Sequence, residues 1–224
     1  MNGIVIVDKP SGLTSHDVVL FFRRRFKIEK VGHAGTLDPM ATGVLVLLLG
    51  KATKRSGNFI TDDKEYEGTM KFGVRTDTHD REGKVLRAMD SSGLTDKAVE
   101  EAFSSFRGTI NQVPPMVSAV RHEGRKLYEL ARKGVEVERK PRRVTIYDLK
   151  AQKIRLPEVS FTVHCSKGTY IRKLADDIGE KLGCGAHLTS LRRTRSGRFG
   201  IDDSVSFEEL KKFDSKMLEA RVEL

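Results

Sequence analysis

Two short segments of this 224-residue chain hold the side chains best placed to do chemistry. The first is Gly32-His33-Ala34-Gly35-Thr36-Leu37-Asp38-Pro39-Met40-Ala41-Thr42-Gly43, which sets one carboxylate between two apolar runs. Its three glycines permit backbone shapes that bring the chain close to itself or to a ligand. Pro39 fixes its own φ and biases Asp38 toward an extended shape. Together they can hold Asp38 rigidly at the mouth of a strand; an ordinary Asp-Pro turn is the competing reading. The second segment is Ser166-Lys167-Gly168-Thr169-Tyr170-Ile171-Arg172, between a strand and a helix. Arg172 falls in the helix's first turn, off the apolar stripe, where the helix dipole disfavours a cation. That placement points to a carboxylate elsewhere in the fold. The alternative is an i,i+4 pair with Asp176, worth only about 0.3–0.5 kcal/mol.

Other chemistries lack their residues. Gly50-Lys51-Ala52-Thr53 does not meet the GxxxxGK[ST] spacing of a phosphate loop, and no GxGxxG, HExxH or GxSxG is present. The histidines at 16, 33, 79, 122, 164 and 187 are not at ligand spacing, so no catalytic metal is expected. Cys165 and Cys184 form no CxxC pair, which argues against a disulfide scaffold or structural zinc and for a reducing, cytoplasmic compartment. The longest aliphatic run, Val44–Leu49, is far short of the roughly 20 residues that cross a membrane. The start, MNGIVIVDKPSG, has no basic region of a secretory signal.

The net charge is +10 and unevenly spread: residues 121–200 hold 20 basic against 9 acidic side chains, whereas residues 1–120 hold 17 against 15. Such a field attracts a polyanion, and nucleic acid is the natural candidate.

The elements that must position these groups read as follows. Ile4–Val7 form the core of a short buried strand stopped by Pro10-Ser11-Gly12. Thr14-Ser15-His16-Asp17 is a capping box before a helix with Val18, Val19, Phe22 and Phe26 on one stripe. Residues 31–43 are expected as an ordered loop and Val44–Leu49 as a strand buried on both faces. A short helix near 53–59 follows, then a strand over 64–74 with 84–88 as its partner. Thr95 caps a helix to about Phe106, and 109–122 is extended, broken by Pro114-Pro115. Residues 126–133 form a short helix closed by Gly134, and 136–143 an exposed arm. A hairpin over 144–165 turns near Pro157. The helix over 169–182 is expected from Ile171, Leu174, Ala175, Ile178 and Leu182, followed by a strand over 184–194 and a helix over 207–213. No internal repeat or linker stands out, so one α+β domain is expected, spanning 1–224.

Taken together, Asp8-Lys9-Pro10-Ser11-Gly12-Leu13-Thr14-Ser15, the block GHAGTLDPMATGVL at 32–45, Lys64-Glu65-Tyr66, Gln112-Val113-Pro114-Pro115, Lys126-Leu127-Tyr128, Lys167-Gly168-Thr169-Tyr170-Ile171-Arg172 and Leu191-Arg192-Arg193 resemble the TruB-type tRNA pseudouridine synthases. The match runs in order from about residue 2 to residue 200, and the 32–45 block is its most specific part. The resemblance implies a catalytic domain with a mixed, largely antiparallel central sheet and flanking helices. It implies that the protein isomerises a uridine in the T-loop of tRNA. That reaction breaks the N1–C1′ bond, turns the base and joins C5 to C1′, with no redox change, so no cofactor is demanded. Asp38 would be the catalytic carboxylate, acting on C1′, on C6 or on a sugar proton. Arg172 would pair with it and fix its direction. Tyr66 would stack on the base, and Tyr170 and Leu191 would line the pocket; ordinary core packing is the competing reading for all three. The target base must be flipped out, at a cost of a few kcal/mol, with His33 filling the region it leaves.

By the same resemblance, residues 114–143 correspond to a thumb that grips RNA. Arg121, Lys126 and Arg142 fit phosphate contact there, Arg192 and Arg193 form a second candidate patch, and Lys64 is a further substrate-binding candidate. Neutralising roughly five phosphates would make affinity fall steeply with salt. The chain departs from the family's usual pattern at Val117, where a bulkier residue is common, and it ends too soon for the C-terminal RNA-binding domain that many members carry. A monomer without an obligate protein partner is expected. Rival readings are a non-catalytic chaperone of the tRNA elbow and a synthase for another RNA. Asp38, Tyr66 and Arg172 separate the first rival, because a pure binder needs no acid–arginine pair.

Overall fold

The computed structural model describes residues 1–223. In chain order its elements are β1 (Gly3–Lys9), α1 (Ser15–Phe26), β2 (Val31–Ala34), β3 (Thr42–Leu49), a 3-10 turn at Gly50–Arg55, α2 (Ser56–Ile60), β4 (Lys64–Phe72), β5 (Val74–Thr76), β6 (Val85–Ala88), α3 (Asp96–Ser105), β7 (Gly108–Gln112), β8 (Arg121–His122), β9 (Arg125–Lys126), α4 (Leu127–Ala131), β10 (Arg142–Arg155), β11 (Glu158–Cys165), α5 (Ile171–Lys181), β12 (Ala186–Ser196), β13 (Phe199–Gly200), β14 (Val205–Ser206), α6 (Phe207–Leu210) and α7 (Ser215–Glu219). These divide into two units: Met1–Glu67 with the chain from Leu191 onward, and Gly68–Ser190.

In the first unit the strand order is β14-β1-β3-β12. β1 runs antiparallel to β3 from Gly3 opposite Leu49 to Lys9 opposite Gly43, and β2 adds to β3 with Val31 opposite Leu49. β14 joins β1, and β12 joins β3, in parallel. These strands are apolar without alternation because both faces are covered. Ile4, Ile6, Val44, Val46 and Leu48 share one cluster with Ala34, Ala52 and Phe199, while Val5, Val7, Leu45 and Leu47 point to the opposite face and are as fully buried. α1 starts at the expected capping box: Asp17 N–H donates to Thr14 Oγ1 (3.0 Å) and Thr14 N–H donates to Asp17 Oδ2 (2.8 Å). It buries Val18, Val19, Phe22 and Phe26.

The second unit orders its strands β12-β4-β11-β10-β7. β10 and β11 form the long hairpin, closed with Arg155 opposite Glu158, and β7 runs antiparallel to β10 with Gln112 opposite Arg142. Phe72, Phe103, Phe161, Leu149, Leu174 and Ile178 supply its core. α5 lies tight against the start of β12: a Cβ on Gly179 would stand 2.1 Å from the backbone nitrogen of Ala186.

The fold is thus mixed, with sheets that are largely antiparallel and helices flanking them. Several local expectations need correction. Residues 31–34 are a strand: Val31 and Ala34 are buried against β3, but four residues that include Gly32 leave no readable period. Residues 85–88 pair with Val74–Thr76 and not with the preceding strand. Ser215–Glu219 is a helix capped by Asp214, whose side chain accepts the Met217 N–H at 2.7 Å. Among the described residues, no helix is long and apolar enough to cross a membrane.

Candidate active site

The segment that carries Asp38 is held by backbone carbonyls that meet buried cations. Lys9 is 0% exposed, and its Nζ donates to the carbonyls of Pro10 (2.8 Å), Leu13 (2.7 Å) and Pro39 (3.3 Å). Arg193, 1% exposed, donates from Nε to Val44 O (2.7 Å) and from Nη2 to Gly35 O (3.0 Å), so it grips both ends of the segment. Ser15 accepts the Leu37 N–H at 2.9 Å and its hydroxyl donates back to Leu37 O at 3.2 Å. Gly12 N–H donates to Pro39 O (2.9 Å), and Ala41 N–H closes the turn on Asp38 O (3.0 Å). Gly43 has a φ of 99°, and a Cβ there would stand 2.2 Å from Arg193 O, so only glycine fits. The partly buried Asp38 therefore sits on a segment fixed on each side.

The same unit holds His33, Lys64, Tyr66, Leu191 and Arg192. Lys64 and Tyr66 are buried on one side of β4. The Lys64 ammonium donates to Ile60 O (3.1 Å), to Phe59 O (3.5 Å) and to Asp62 O, closing the end of α2. Arg192 makes a two-pronged pair with Asp8, at 3.1 Å to Oδ1 and 2.7 Å to Oδ2, and stays partly exposed. The expected Arg192–Arg193 phosphate patch is corrected: strand alternation turns Arg193 inward, where backbone carbonyls hold it.

In the second unit, Arg172 opens α5 and is 3% exposed. It donates to Thr78 O (2.8 Å) and Val117 O (3.0 Å), and its Nε lies 3.6 Å from Asp80 Oδ2. Asp80 is itself fixed, its Oδ1 accepting from Thr78 Oγ1 (2.6 Å) and from Glu82 N–H (3.0 Å). The i,i+4 pair with Asp176 does not form, because Asp176 is taken by Arg75 (2.7 Å) and Lys173 (2.8 Å). Burial raises the Asp176 carboxyl, but the hydrogen bonds from Lys173 and Arg75, with the charges of His79 and Lys173, bring it below the usual carboxylate range. Burial dominates at two neighbours: Asp177 is pushed up, and His79 is pushed down to about 4.

Just ahead of Arg172, the Tyr170 backbone is clasped by Gln112, whose side chain is buried. Tyr170 N–H donates to Gln112 Oε1 (2.8 Å) and Gln112 Nε2 donates to Tyr170 O (3.1 Å). Gln112 and Val117 thus both tie residues 112–117 to the start of α5. Val117 contributes its carbonyl, which its departure from the family's bulkier residue leaves intact. Farther along, Arg121 is exposed and bonds Gly124 O at 2.8 Å, Lys126 sits 5.3 Å from the Tyr128 ring, and Arg142 is exposed at the start of β10. Sequence reasoning missed the roles of Lys9, Ser15, Asp80 and Gln112. A period-two count along β1 puts Lys9 on the buried side with Val5 and Val7, which is the signal available for it. No such pattern marks Asp80.

Comparison with known proteins bears on what these two sets of residues do. Residues 23–171 match the family model of the TruB family pseudouridylate synthase N-terminal domain, and residues 172–223 match that of the tRNA pseudouridylate synthase B C-terminal domain. A protein of Syntrophotalea carbinolica named tRNA pseudouridine synthase B is 51% identical over 94% of this chain and 69% of its own length. One of Opitutus terrae with the same name is 43% identical over 99% of this chain and 92% of its own. Among solved structures, a Cbf5-Nop10-Gar1 complex has a chain with a TM-score of 0.76 at 32% identity, and an H/ACA RNP bound to a substrate RNA containing 2′-deoxyuridine has one with 0.72 at 29%. Each covers 99% of this chain, which spans 57% and 56% of their lengths.

Proposed function

Since this chain belongs to the TruB family of pseudouridylate synthases, we propose that it isomerises uridine to pseudouridine in the T-loop of tRNA. What carries the reading is its similarity, over nearly the whole chain, to proteins named tRNA pseudouridine synthase B. The mounting of the Asp38 segment supplies a physical means. A carboxylate that must meet one atom of a bound nucleoside gains from being fixed before the substrate arrives. Lys9, Ser15 and Arg193 do this through the backbone of the segment.

In this reading Asp38 is the catalytic group and Arg172 the cation that directs it. Attack at C1′, attack at C6 and removal of a sugar proton all begin from the same aimed carboxylate. In each, the N1–C1′ bond breaks, C5 bonds to C1′, the proton on C5 leaves, and N1 ends protonated. The balance needs no oxidant, reductant or group donor. Tyr66 stacks on the detached uracil, Tyr170 and Leu191 close the pocket, and His33 fills the space left by the everted base. Lys64 supports the pocket through the end of α2. Arg121, Lys126, Arg142 and Arg192 meet phosphates, which position the RNA while loop shape gives specificity. The enzyme acts as a cytosolic monomer on free tRNA.

The test is incubation of the purified chain, without metal or cofactor, with an unmodified tRNA transcript and with total RNA, followed by base-resolution mapping of pseudouridine. One modified position in the T-loop is expected. No product at micromolar enzyme in low salt, or product only in other RNAs, would overturn the reading.

A further inference from the structure

Between Val18 and Thr61 the chain carries eight lysines and arginines against two carboxylates, Glu29 and Asp38. All eight cations are exposed, among them the six Arg24, Lys27, Lys30, Lys51, Lys54 and Arg55. They come from two stretches that the fold sets side by side. Arg23 at the end of α1 donates to Val31 O at 3.1 Å, and Gly50 N–H donates to Lys30 O at 2.7 Å, so the end of α1, the start of β2 and the 3-10 turn after β3 meet at one corner of the first unit. Several exposed cations elsewhere are matched with acids: Lys97 with Glu101, Lys150 with Asp148, Arg195 with Glu65, Arg198 with Glu223, Lys211 with Glu208. Among the described residues none of these six has a carboxylate within ion-pair distance. In the acidic C-terminal stretch, Glu223 pairs with Arg198 and Glu208 with Lys211. The dipole of α1 rationalises a cation or two in its last turn, but not the lysines beyond it.

The corner has a defined relation to Asp38. The N-terminal end of α1 touches the Asp38 segment through Ser15 and Leu37, and its other end reaches the corner. A helix of 12 residues spans about 18 Å at 1.5 Å per residue. That is on the order of five nucleotides along one strand of a duplex.

We propose that this corner is a docking surface for the sugar–phosphate backbone of the RNA, engaging phosphates remote from the nucleotide at Asp38. The proposal rests on the reading of the protein as an RNA-modifying enzyme and names a contact surface distinct from residues 114–143. Unpaired cations at this density suit a partner with regularly spaced phosphates, and clustered lysines recognise charge without sequence.

The experiment compares the wild-type chain with the triple variant Lys30→Glu, Lys51→Glu, Lys54→Glu. Binding of full-length tRNA transcript is measured by filter retention from 50 to 300 mM salt, together with pseudouridine formation at saturating RNA and thermal unfolding. The expected result is a tRNA affinity lowered at least tenfold at low salt and a log–log salt slope smaller by about two to three. The rate at saturating RNA and the melting temperature should stay near wild type. Unchanged affinity and slope in a folded variant would overturn the proposal and leave the corner to another partner. A wild-type protein that binds tRNA through this corner but forms no pseudouridine would sink the enzymatic reading alone.

Discussion

Gln112 and Tyr170 exchange two hydrogen bonds, the tyrosine N–H to Oε1 at 2.8 Å and the glutamine Nε2 to the tyrosine carbonyl at 3.1 Å, although 58 positions separate them. A neutral amide carries both the acceptor and the donor that a backbone N–H and a backbone carbonyl require. The bond pair fixes the residue just before α5, two positions ahead of Arg172.

Gln112→Ala should therefore cost about 1–3 kcal/mol of stability, the penalty for an unmet buried polar group. It should also lower kcat at saturating tRNA about tenfold, because α5 loses its anchor. Gln112→Glu keeps the acceptor and loses the donor, so it should fall between. Denaturant unfolding and steady-state kinetics on the three proteins decide it: a lowered midpoint with wild-type kcat would cut Gln112 off from the reaction.

Arg193 should resist conservative replacement. Its Nε and Nη2 reach two carbonyls, Val44 O and Gly35 O, that a single ammonium does not meet together. Arg193→Lys is expected to lose about 2–3 kcal/mol, given the strength of hydrogen bonds from charged groups. Gly43→Ala should be at least as damaging, with a positive φ and a Cβ driven into Arg193 O. Melting temperatures of the two variants check this, and a shift of only a degree or two for either would show that the segment does not depend on the grip.

These positions show what was legible in the residues alone. The apolar runs of β1 and β3, the Thr14 capping box and the stripe of α5 all announced themselves, because each repeats a local period. Arg193 was readable in principle, since alternation along β12 buries it with Leu191 and turns Arg192 out. It was misread because two adjacent arginines look like a surface patch. The corner near Lys30 and Lys51 was hidden by averaging, for residues 1–120 are almost balanced in charge. Asp80 and Gln112 were not legible: their meaning depends on partners 92 and 58 positions away, and no short-range pattern encodes such a pairing.

His79 gives the protein an acid-sensitive element. Burial, with the charges of Lys173, Arg172 and Arg75, pushes its imidazole down to about 4, against the opposing charge of Asp176. The unfolded chain takes up that proton near pH 6.5 and the native state only near 4. Stability is therefore unaffected above 6.5 and declines as the pH falls toward 4, by up to about 3 kcal/mol. His79→Asn, a residue that tolerates the local φ of 61°, should flatten the decline. Urea unfolding at pH 7.5, 6 and 5 would expose an error here if wild type and variant lost stability in parallel.

The roles of Asp38 and Arg172 can be separated by rate and affinity. Asp38→Asn keeps the shape of the side chain on its mounted segment, so tRNA affinity should stay within about threefold while turnover falls at least 10³-fold, as expected when an essential nucleophile or base is removed. Arg172→Ala should lower turnover by roughly 10²–10³ with a small change in affinity, in line with the loss of one aimed charged group. If the two act as a unit, the double variant should be no slower than Asp38→Asn alone. Rates that multiply in the double variant would mean that the guanidinium serves the RNA or the local fold through Thr78, Asp80 and Val117, and not the carboxylate at 38. Single-turnover kinetics with pre-bound tRNA give the comparison free of any difference in binding.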